Sequence, residues 1–238
     1  MSSPAILEVR DLHAFYGRAH ILHGVSLEAR AGEVVALLGR NGAGKSTTMK
    51  AIMGLVPPAR GEVSFDGRRI ERLPPYRIAR LGLGYVPEER RIFTDLSVTE
   101  NLEVGRQAAR AGTPTWDERK LFTLFPNLGG MRERPGGRMS GGEQQMLTIA
   151  RTLMGNPRCV LLDEPSEGLA PIIVEQMANS IRALKSEGLS VLLSEQNLHF
   201  SQAVADRAYI IEKGQIRFGG SMAELTADAS LREQYLSV

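Results

Sequence analysis

Cysteine is nearly absent from this chain of 238 residues, which has Cys159 as its single thiol. One cysteine excludes a disulfide within the chain and a cysteine-rich zinc site. Because the apolar run 160–162 follows it, we expect Cys159 to lie buried in a strand and not to act as a nucleophile. Histidine is also scarce, and the four histidines lack a metal-binding spacing such as H-E-x-x-H.

Long apolar runs are missing too, since none approaches the roughly 18 residues that a membrane-spanning helix needs. The start of the chain lacks the basic and apolar regions of a secretory signal, so we expect the chain to stay in the cytoplasm. The net charge is only +2, which gives no support for a nucleic-acid partner. The arginines clustered between Arg77 and Arg138 favour a solvated face.

The apolar pattern predicts an α/β protein with a helical insertion at about 95–155. Strands are expected at 6–9, 21–27, 33–38, 62–65, 159–162, 190–194, 209–211 and 215–218. Asp66-Gly67 and Lys213-Gly214 are typical of hairpin turns, because a type I′ turn needs positive φ at its centre. Helices are expected at 98–109, 117–125, 141–154 and 172–184, and after a capping box at 221–224.

A glycine-rich loop between an apolar strand and a helix is the first motif with chemical content. Residues 39–46 match G-x-x-x-x-G-K-[ST] at every fixed position. Such a loop turns its backbone amides toward phosphate oxygens, and its lysine adds a positive charge. The alternative is a purely structural glycine-rich turn. We expect ATP to contact Gly39, Arg40, Asn41, Gly42, Ala43, Gly44, Lys45, Ser46 and Thr47.

An acidic pair, Asp163-Glu164, closes the apolar strand 159–162. Alone, such a pair is more often a turn or a helix N-cap. Beside a phosphate-binding loop, however, Asp163 is expected to hold Mg²⁺ together with Ser46. Glu164 is then expected to polarise the water that attacks the γ-phosphate.

A second phosphate-type motif comprises Ser140, Gly141, Gly142 and Glu143. It also fits a capping box, which is the structural alternative. The glycine pair, however, exposes backbone amides at the start of a helix, where anions bind. Because Lys45 already belongs to one phosphate site, we expect Ser140 to close on the nucleotide of a second subunit, head to tail.

These motifs resemble those of ATP-binding-cassette (ABC) ATPases over nearly the whole chain, residues 1–238, taken as one domain. The resemblance implies a P-loop NTPase fold of the α/β class, with an antiparallel β subdomain, an inserted helical subdomain, and ATP and Mg²⁺ as cofactors. It implies that Tyr16 stacks on adenine, although one tyrosine is equally typical of a strand edge. Residues 84–88 resemble the loop that links the core to the helical insertion, with Glu88 in place of glutamine and facing the metal.

Three departures from the family pattern narrow the resemblance. Gln196 stands where most ABC ATPases have a histidine on the γ-phosphate, and Ala170 stands where aspartate is common. With Glu88 and the string 86–93, these departures resemble the LivF-type ATPase subunits of branched-chain amino-acid importers. Arg90 or Arg91 is expected to offset the charge of Glu88.

The resemblance implies a peripheral subunit on the cytoplasmic face of the inner membrane that hydrolyses ATP to drive transport. Its partners would be two permeases, a companion ATPase or a second copy, and, indirectly, an external solute-binding protein. The arginine-rich face at 77–110 is the expected docking surface. A soluble ABC ATPase acting on ribosomes or DNA, and a regulatory subunit without hydrolysis, are the alternatives.

Overall fold

The computed structural model describes residues 5–236, and within that range the chain forms two β-sheets and ten α-helices. The strands are β1 (Ala5–Tyr16), β2 (Ala19–Arg30), β3 (Val34–Leu38), β4 (Arg60–Phe65), β5 (Arg68–Arg69), β6 (Leu83–Val86), β7 (Cys159–Asp163), β8 (Ser190–Glu195), β9 (Arg207–Glu212) and β10 (Gln215–Ser221). The helices are α1 (Lys45–Ile52), α2 (Pro75–Leu81), α3 (Val98–Gly105), α4 (Glu118–Leu124), α5 (Pro126–Gly129), α6 (Gly141–Leu153), α7 (Pro171–Ser186), α8 (Leu198–Val204), α9 (Met222–Ala227) and α10 (Ala229–Tyr235).

The larger sheet has the order β10-β9-β3-β8-β7-β6 and is parallel except for the β9–β10 hairpin. Strands β3, β7 and β8 are buried along their whole length, as their continuous apolar runs require in a sheet covered on both faces. The smaller sheet is antiparallel, with the order β2-β1-β4-β5. The expected α/β core with an antiparallel partner sheet is therefore present.

Two apolar clusters cover the two faces of the larger sheet. Val34 and Leu38 of β3 belong to one cluster, together with residues of the helices between 98 and 153. Val35 and Leu37, which point the other way, belong to the second cluster, together with β1, β2 and α1. The helices of the insertion thus share a continuous core with the sheet. Across residues 5–236, none of the helices has the length and apolarity to span a bilayer.

Two predicted boundaries in the middle of the chain are wrong. The helix expected at 98–109 ends at Gly105, and the amide of Gln107 donates instead to the carbonyl oxygen of Met154 at 3.1 Å. Gly105 packs so closely on α6 that a side chain there would clash with the carbonyl oxygen of Arg151. The segment 84–88, expected to be a loop, begins as strand β6, which pairs with β7.

Both predicted hairpin turns are confirmed by positive φ angles, 51° and 72° at Asp66-Gly67 and 47° and 73° at Lys213-Gly214. The capping box at Ser221 is also formed. It opens two short helices, α9 and α10, because Asp228 breaks the first helix and caps the second.

Candidate active site

The glycine-rich loop lies between the end of β3 and the start of α1, where the helix dipole favours anions. Gly44 precedes the helix with φ 114°, a conformation that side chains rarely adopt. A Cβ at Gly44 would also lie 3.0 Å from Cδ2 of Leu22. Glycine is therefore required at this position by both conformation and space.

Lys45 is buried, and its ammonium group uses its donors inside the site. Nζ donates to the carbonyl oxygens of Gly39 at 2.7 Å and Arg40 at 3.1 Å. It also lies 3.1 Å from Oε1 of Glu164, with both side chains almost fully buried. The structure therefore brings the lysine and the acid expected to act on phosphate and water into direct contact.

Asp163, at the end of β7, accepts hydrogen bonds from three hydroxyl groups. Ser46 and Ser194 donate to Oδ1 at 3.0 and 2.6 Å, and Tyr85 donates to Oδ2 at 3.0 Å. Ser46 was expected there, but the motifs do not indicate Ser194 or Tyr85. Both lie on strands next to β7, so only the strand order makes them neighbours of Asp163.

The carboxylate and hydroxyl oxygens of Asp163 and Ser46 form a donor set that suits Mg²⁺. No cluster of three or more histidine, cysteine or acidic side chains suited to a metal occurs within residues 5–236. Mg²⁺ commonly takes one or two protein carboxylates and completes its shell with phosphate and water.

Glu164 has an unusual backbone conformation, with φ 48°. Its amide donates to the carbonyl oxygen and to Oγ of Ser194, both at 3.1 Å. Oε2 of Glu164 is buried, and no amide, hydroxyl or cationic group within residues 5–236 donates a hydrogen bond to it. A hydrogen bond to Glu164, followed by burial and nearby carboxylates, raises the pKa of Glu167 to about 7. The pKa of Glu167 therefore lies near neutral pH, well above that of an ordinary glutamate.

Further carboxyl groups converge on this site. Burial, followed by the charges of Glu164 and Asp163, raises the pKa of Glu88 above its usual range. Burial is also the main cause of a raised pKa at Glu195.

The expected compensation of Glu88 by a neighbouring arginine is wrong. Arg91 lies 3.5 Å from Glu89, not beside Glu88. The guanidinium of Arg90 lies against the start of α6, where a Cβ at Gly141 would be 2.6 Å from Nη1. The cation that lowers the pKa of Glu88 is Lys50 on α1.

A pocket of about 250 Å³ joins the loop, the acid and the expected adenine-stacking residue. Tyr16, the expected adenine-stacking residue, is half exposed. The pocket is lined by Tyr16, Ile21, Gly42, Gly44, Lys45, Ser46, Thr47 and Glu164. Gly39, Arg40, Asn41 and Ala43 complete the loop without lining this pocket in the described structure.

Comparison with known proteins identifies the family. Residues 22–167 match the family model described as ABC transporter. The chain belongs to the ABC transporter family. The high-affinity branched-chain amino acid transport ATP-binding protein BraG of Pseudomonas aeruginosa is 42% identical over 231 residues, 97% of this chain and 99% of BraG. The lipopolysaccharide export system ATP-binding protein LptB of Acidithiobacillus ferridurans is 37% identical over 97% of this chain and 96% of LptB.

Solved structures agree with this assignment. The ADP conformation of MJ1267, an ATP-binding cassette of an ABC transporter, matches with a TM-score of 0.82 and 26% identity, covering 97% of this chain and 98% of MJ1267. The expected P-loop ABC fold is confirmed. The chain is an ABC-type ATPase and the ATP-binding subunit of a transporter.

Gln196 and Glu88, two further expected site residues, are also not among the described residues that line the pocket around Lys45. Gln196 is exposed just after β8. Glu88 is exposed in the loop after β6. Their expected contacts with phosphate and metal stay predictions.

The Ser140 turn begins α6, away from the pocket around Lys45. Both halves of the capping box are formed, with the Ser140 amide 2.7 Å from Oε2 of Glu143 and the Glu143 amide 3.4 Å from Oγ of Ser140. Ser140 and Glu143 therefore do form the capping box that was the structural alternative for this motif. It does not exclude a phosphate contact, because a capping box leaves the amides of Gly141 and Gly142 at the helix start.

Proposed function

We propose that this ABC ATPase hydrolyses ATP to power an importer of branched-chain or related amino acids, as a LivF-type subunit. Lys45 and Glu164 meet at one pocket, and Asp163 accepts a hydrogen bond from Ser46 at its edge, which supports the hydrolytic role. Similarity to BraG over nearly the whole of both chains supports the amino-acid substrate. Under this proposal residues 1–238 act as one domain, with the helical subdomain at about 95–155.

In the proposed mechanism the γ-phosphate takes the place of the Glu164 carboxylate at the Lys45 ammonium group. Glu164 is then free to accept a proton from the attacking water. Asp163 and Ser46, with Glu88 as a third candidate, would hold Mg²⁺, which would neutralise charge on the phosphate oxygens. Gln196 would donate its amide hydrogens to phosphate without becoming cationic.

The active dimer is proposed to be head to tail, with residues 140–143 of one subunit closing on nucleotide at Lys45 of the other. Members of this family act as dimers with transmembrane permease subunits. The two ATPase subunits of this dimer could be identical or different chains. We propose a heterodimer with a companion ATPase. An external solute-binding protein would supply the substrate, and the ATPase would lie on the cytoplasmic face of the inner membrane.

A groove of about 630 Å³ is the proposed permease-docking site, and it is called the docking groove below. Four exposed apolar side chains line it, namely Leu55, Tyr76, Phe93 and Val104. Arg80, Arg91 and Arg151 line it as well. An apolar patch bordered by cations suits a protein partner with an apolar segment and acidic ends. Arg110, also in the expected docking face, instead donates to the carbonyl oxygens of Gly155 and Asn156.

Glu164→Gln tests the hydrolytic role. Loss of the general base should lower the turnover number by roughly 10²- to 10⁴-fold. The variant should still bind ATP and should accumulate as an ATP-bound dimer on size-exclusion chromatography. Unaltered turnover would remove the role assigned to Glu164 and would favour a regulatory subunit.

Lipopolysaccharide export is the second candidate, because LptB is also similar over nearly the full length. The complex purified with its membrane subunits should distinguish the two. Bound radiolabelled leucine, isoleucine or valine on the associated solute-binding protein, and their ATP-dependent uptake into proteoliposomes, would support import. ATP-dependent extraction of lipopolysaccharide without amino-acid uptake would overturn it. Association with ribosomes or DNA instead of membrane subunits would favour the soluble alternative.

A further inference from the structure

We propose that Tyr85 is a positioning residue that orients Asp163 and links it to the docking groove. The part concerning Asp163 rests on the proposed role of that residue at the nucleotide. The part concerning the groove rests on the proposed docking of permeases. Each part has its own measurement below.

The parallel pairing of β6 and β7 places Tyr85 near Asp163. Tyr85 pairs with Leu161 in the register of the two strands. Asp163 follows Leu161 by two residues and therefore lies on the same face of the sheet. The phenol of Tyr85 extends along this face and reaches Oδ2 of Asp163 at 3.0 Å.

The direction of this hydrogen bond follows from its chemistry. A carboxylate oxygen can only accept, whereas a phenol carries its proton at neutral pH. The Tyr85 hydroxyl group therefore donates to Oδ2 of Asp163. Ser46 and Ser194 both donate to Oδ1 of Asp163. Among the described residues, Tyr85 is the side chain that donates to Oδ2. It fixes the rotation of the carboxylate about its own axis.

Tyr85 differs from the two serines in what else it touches. Ser46 lines the nucleotide pocket, and Ser194 is fully buried. Tyr85 also lines the docking groove, as Tyr76 does. A partner segment that packs in the groove against Tyr85 would thus act on a side chain whose hydroxyl group holds Asp163.

The test of the first part compares Tyr85→Phe with Tyr76→Phe, which removes a hydroxyl group from the same groove. Thermal unfolding with ATP is followed as Mg²⁺ is titrated, and ATP affinity is measured separately in EDTA. For Tyr85→Phe we expect the Mg²⁺ concentration for half-maximal stabilisation to rise about five- to tenfold, since a hydrogen bond to a charged group is lost. ATP affinity in EDTA should be unchanged, and Tyr76→Phe should match the wild type.

A lower melting temperature of Tyr85→Phe with an unmoved Mg²⁺ midpoint would mean a merely structural hydroxyl group and would overturn the proposal. Failure of the wild type itself to be stabilised by ATP would count against the proposed function, not against Tyr85.

The link to the groove is tested in the complete transporter complex. We expect Tyr85→Phe to assemble normally but to reduce the stimulation of ATP hydrolysis by transported substrate at least threefold. Tyr235→Phe, which removes a hydroxyl group outside the groove, should keep the stimulation of the wild type. Full stimulation in Tyr85→Phe at saturating Mg²⁺ would overturn the link.

Discussion

Glu164 lies between a cation and another acid. Lys45 is 3.1 Å from Oε1 of Glu164, and Glu167 is hydrogen-bonded to the same carboxyl group. This hydrogen bond, followed by burial and the neighbouring carboxylates, raises the pKa of Glu167 to about 7. Within this group, Glu167 is the residue that changes its protonation state near neutral pH.

Glu167→Gln should therefore change how stability depends on pH. The folded-state pKa of Glu167 is raised to about 7, so its stabilising effect is full below its unfolded pKa and is lost as pH rises toward about 7. Between pH 5 and pH 8 the wild type should lose on the order of 1 kcal/mol more than the variant. This is a fraction of what the full pKa shift implies, because the Glu167 side chain is exposed and solvent screens it.

Urea unfolding at several pH values measures this difference in the free energy of unfolding. Glu175→Gln, an exposed change on α7, is the matched control and should leave the pH profile of the wild type unaltered. Parallel profiles for wild type and Glu167→Gln would contradict the raised pKa of Glu167.

The site residues that belong to sequence motifs could be predicted, but the residues that contact them in the folded chain could not. Lys45, Ser46 and Asp163 were found because fixed spacing in one loop and one strand end carries their chemistry. Tyr85 and Ser194 are 78 and 31 residues from Asp163 in sequence. Their contacts depend on which strands lie beside β7, and local patterns do not encode that order.

Three helices of the described structure, α3, α6 and α9, begin with a serine capping box. Sequence patterns predicted the boxes at α6 and α9, since each needs only a serine and a glutamate three residues later. The end of α3 was harder to predict, because the close contact of Gly105 with α6 stops it. Tertiary packing decided that boundary.

Ser140→Ala and Ser97→Ala separate capping from nucleotide chemistry. Each variant should lose about 1 kcal/mol of stability, because each removes the same kind of N-cap. Only Ser140→Ala should also lower ATP turnover, by at least tenfold, if its hydroxyl group contacts phosphate across the dimer. Chemical denaturation and steady-state ATP hydrolysis measure the two effects. Equal turnover in the two variants would leave Ser140 with its capping role alone.

The whole molecule combines a nucleotide pocket around Lys45 with a docking groove that shares no lining residue with it among the described residues. The family resemblance predicted permease partners and a docking face rich in arginine. The sequence could not distinguish arginines that line the groove, such as Arg80, from Arg110, which binds backbone carbonyl groups. Burial lowers the pKa of Arg110, in keeping with its internal contacts.

Val104→Lys should weaken docking without affecting the isolated ATPase. Val104 is 54% exposed, so the lysine should not disturb the core, but its charge would be buried against an apolar partner segment. We expect at least tenfold weaker association with the permease subunits and unchanged ATP turnover of the free subunit. Affinity co-purification and binding assays in detergent provide the measurement. Ile172→Lys, 61% exposed and outside the groove, is the control. Normal docking of Val104→Lys would place the permease contact elsewhere.

The burial of Cys159 has a practical consequence for studying assembly. The thiol is fully inaccessible, and burial raises the pKa of Cys159 to about 12, so it should not react with maleimides or oxidants in the folded protein. A cysteine introduced at the surface would then be the one reactive thiol, so Cys159 would not have to be replaced first. Cysteines placed at Ser140 and at Asn41 should form a disulfide between subunits only when the two chains face each other in opposite directions. Disulfide cross-linking of such variants would therefore measure the relative orientation of the two subunits while Cys159 stays in place.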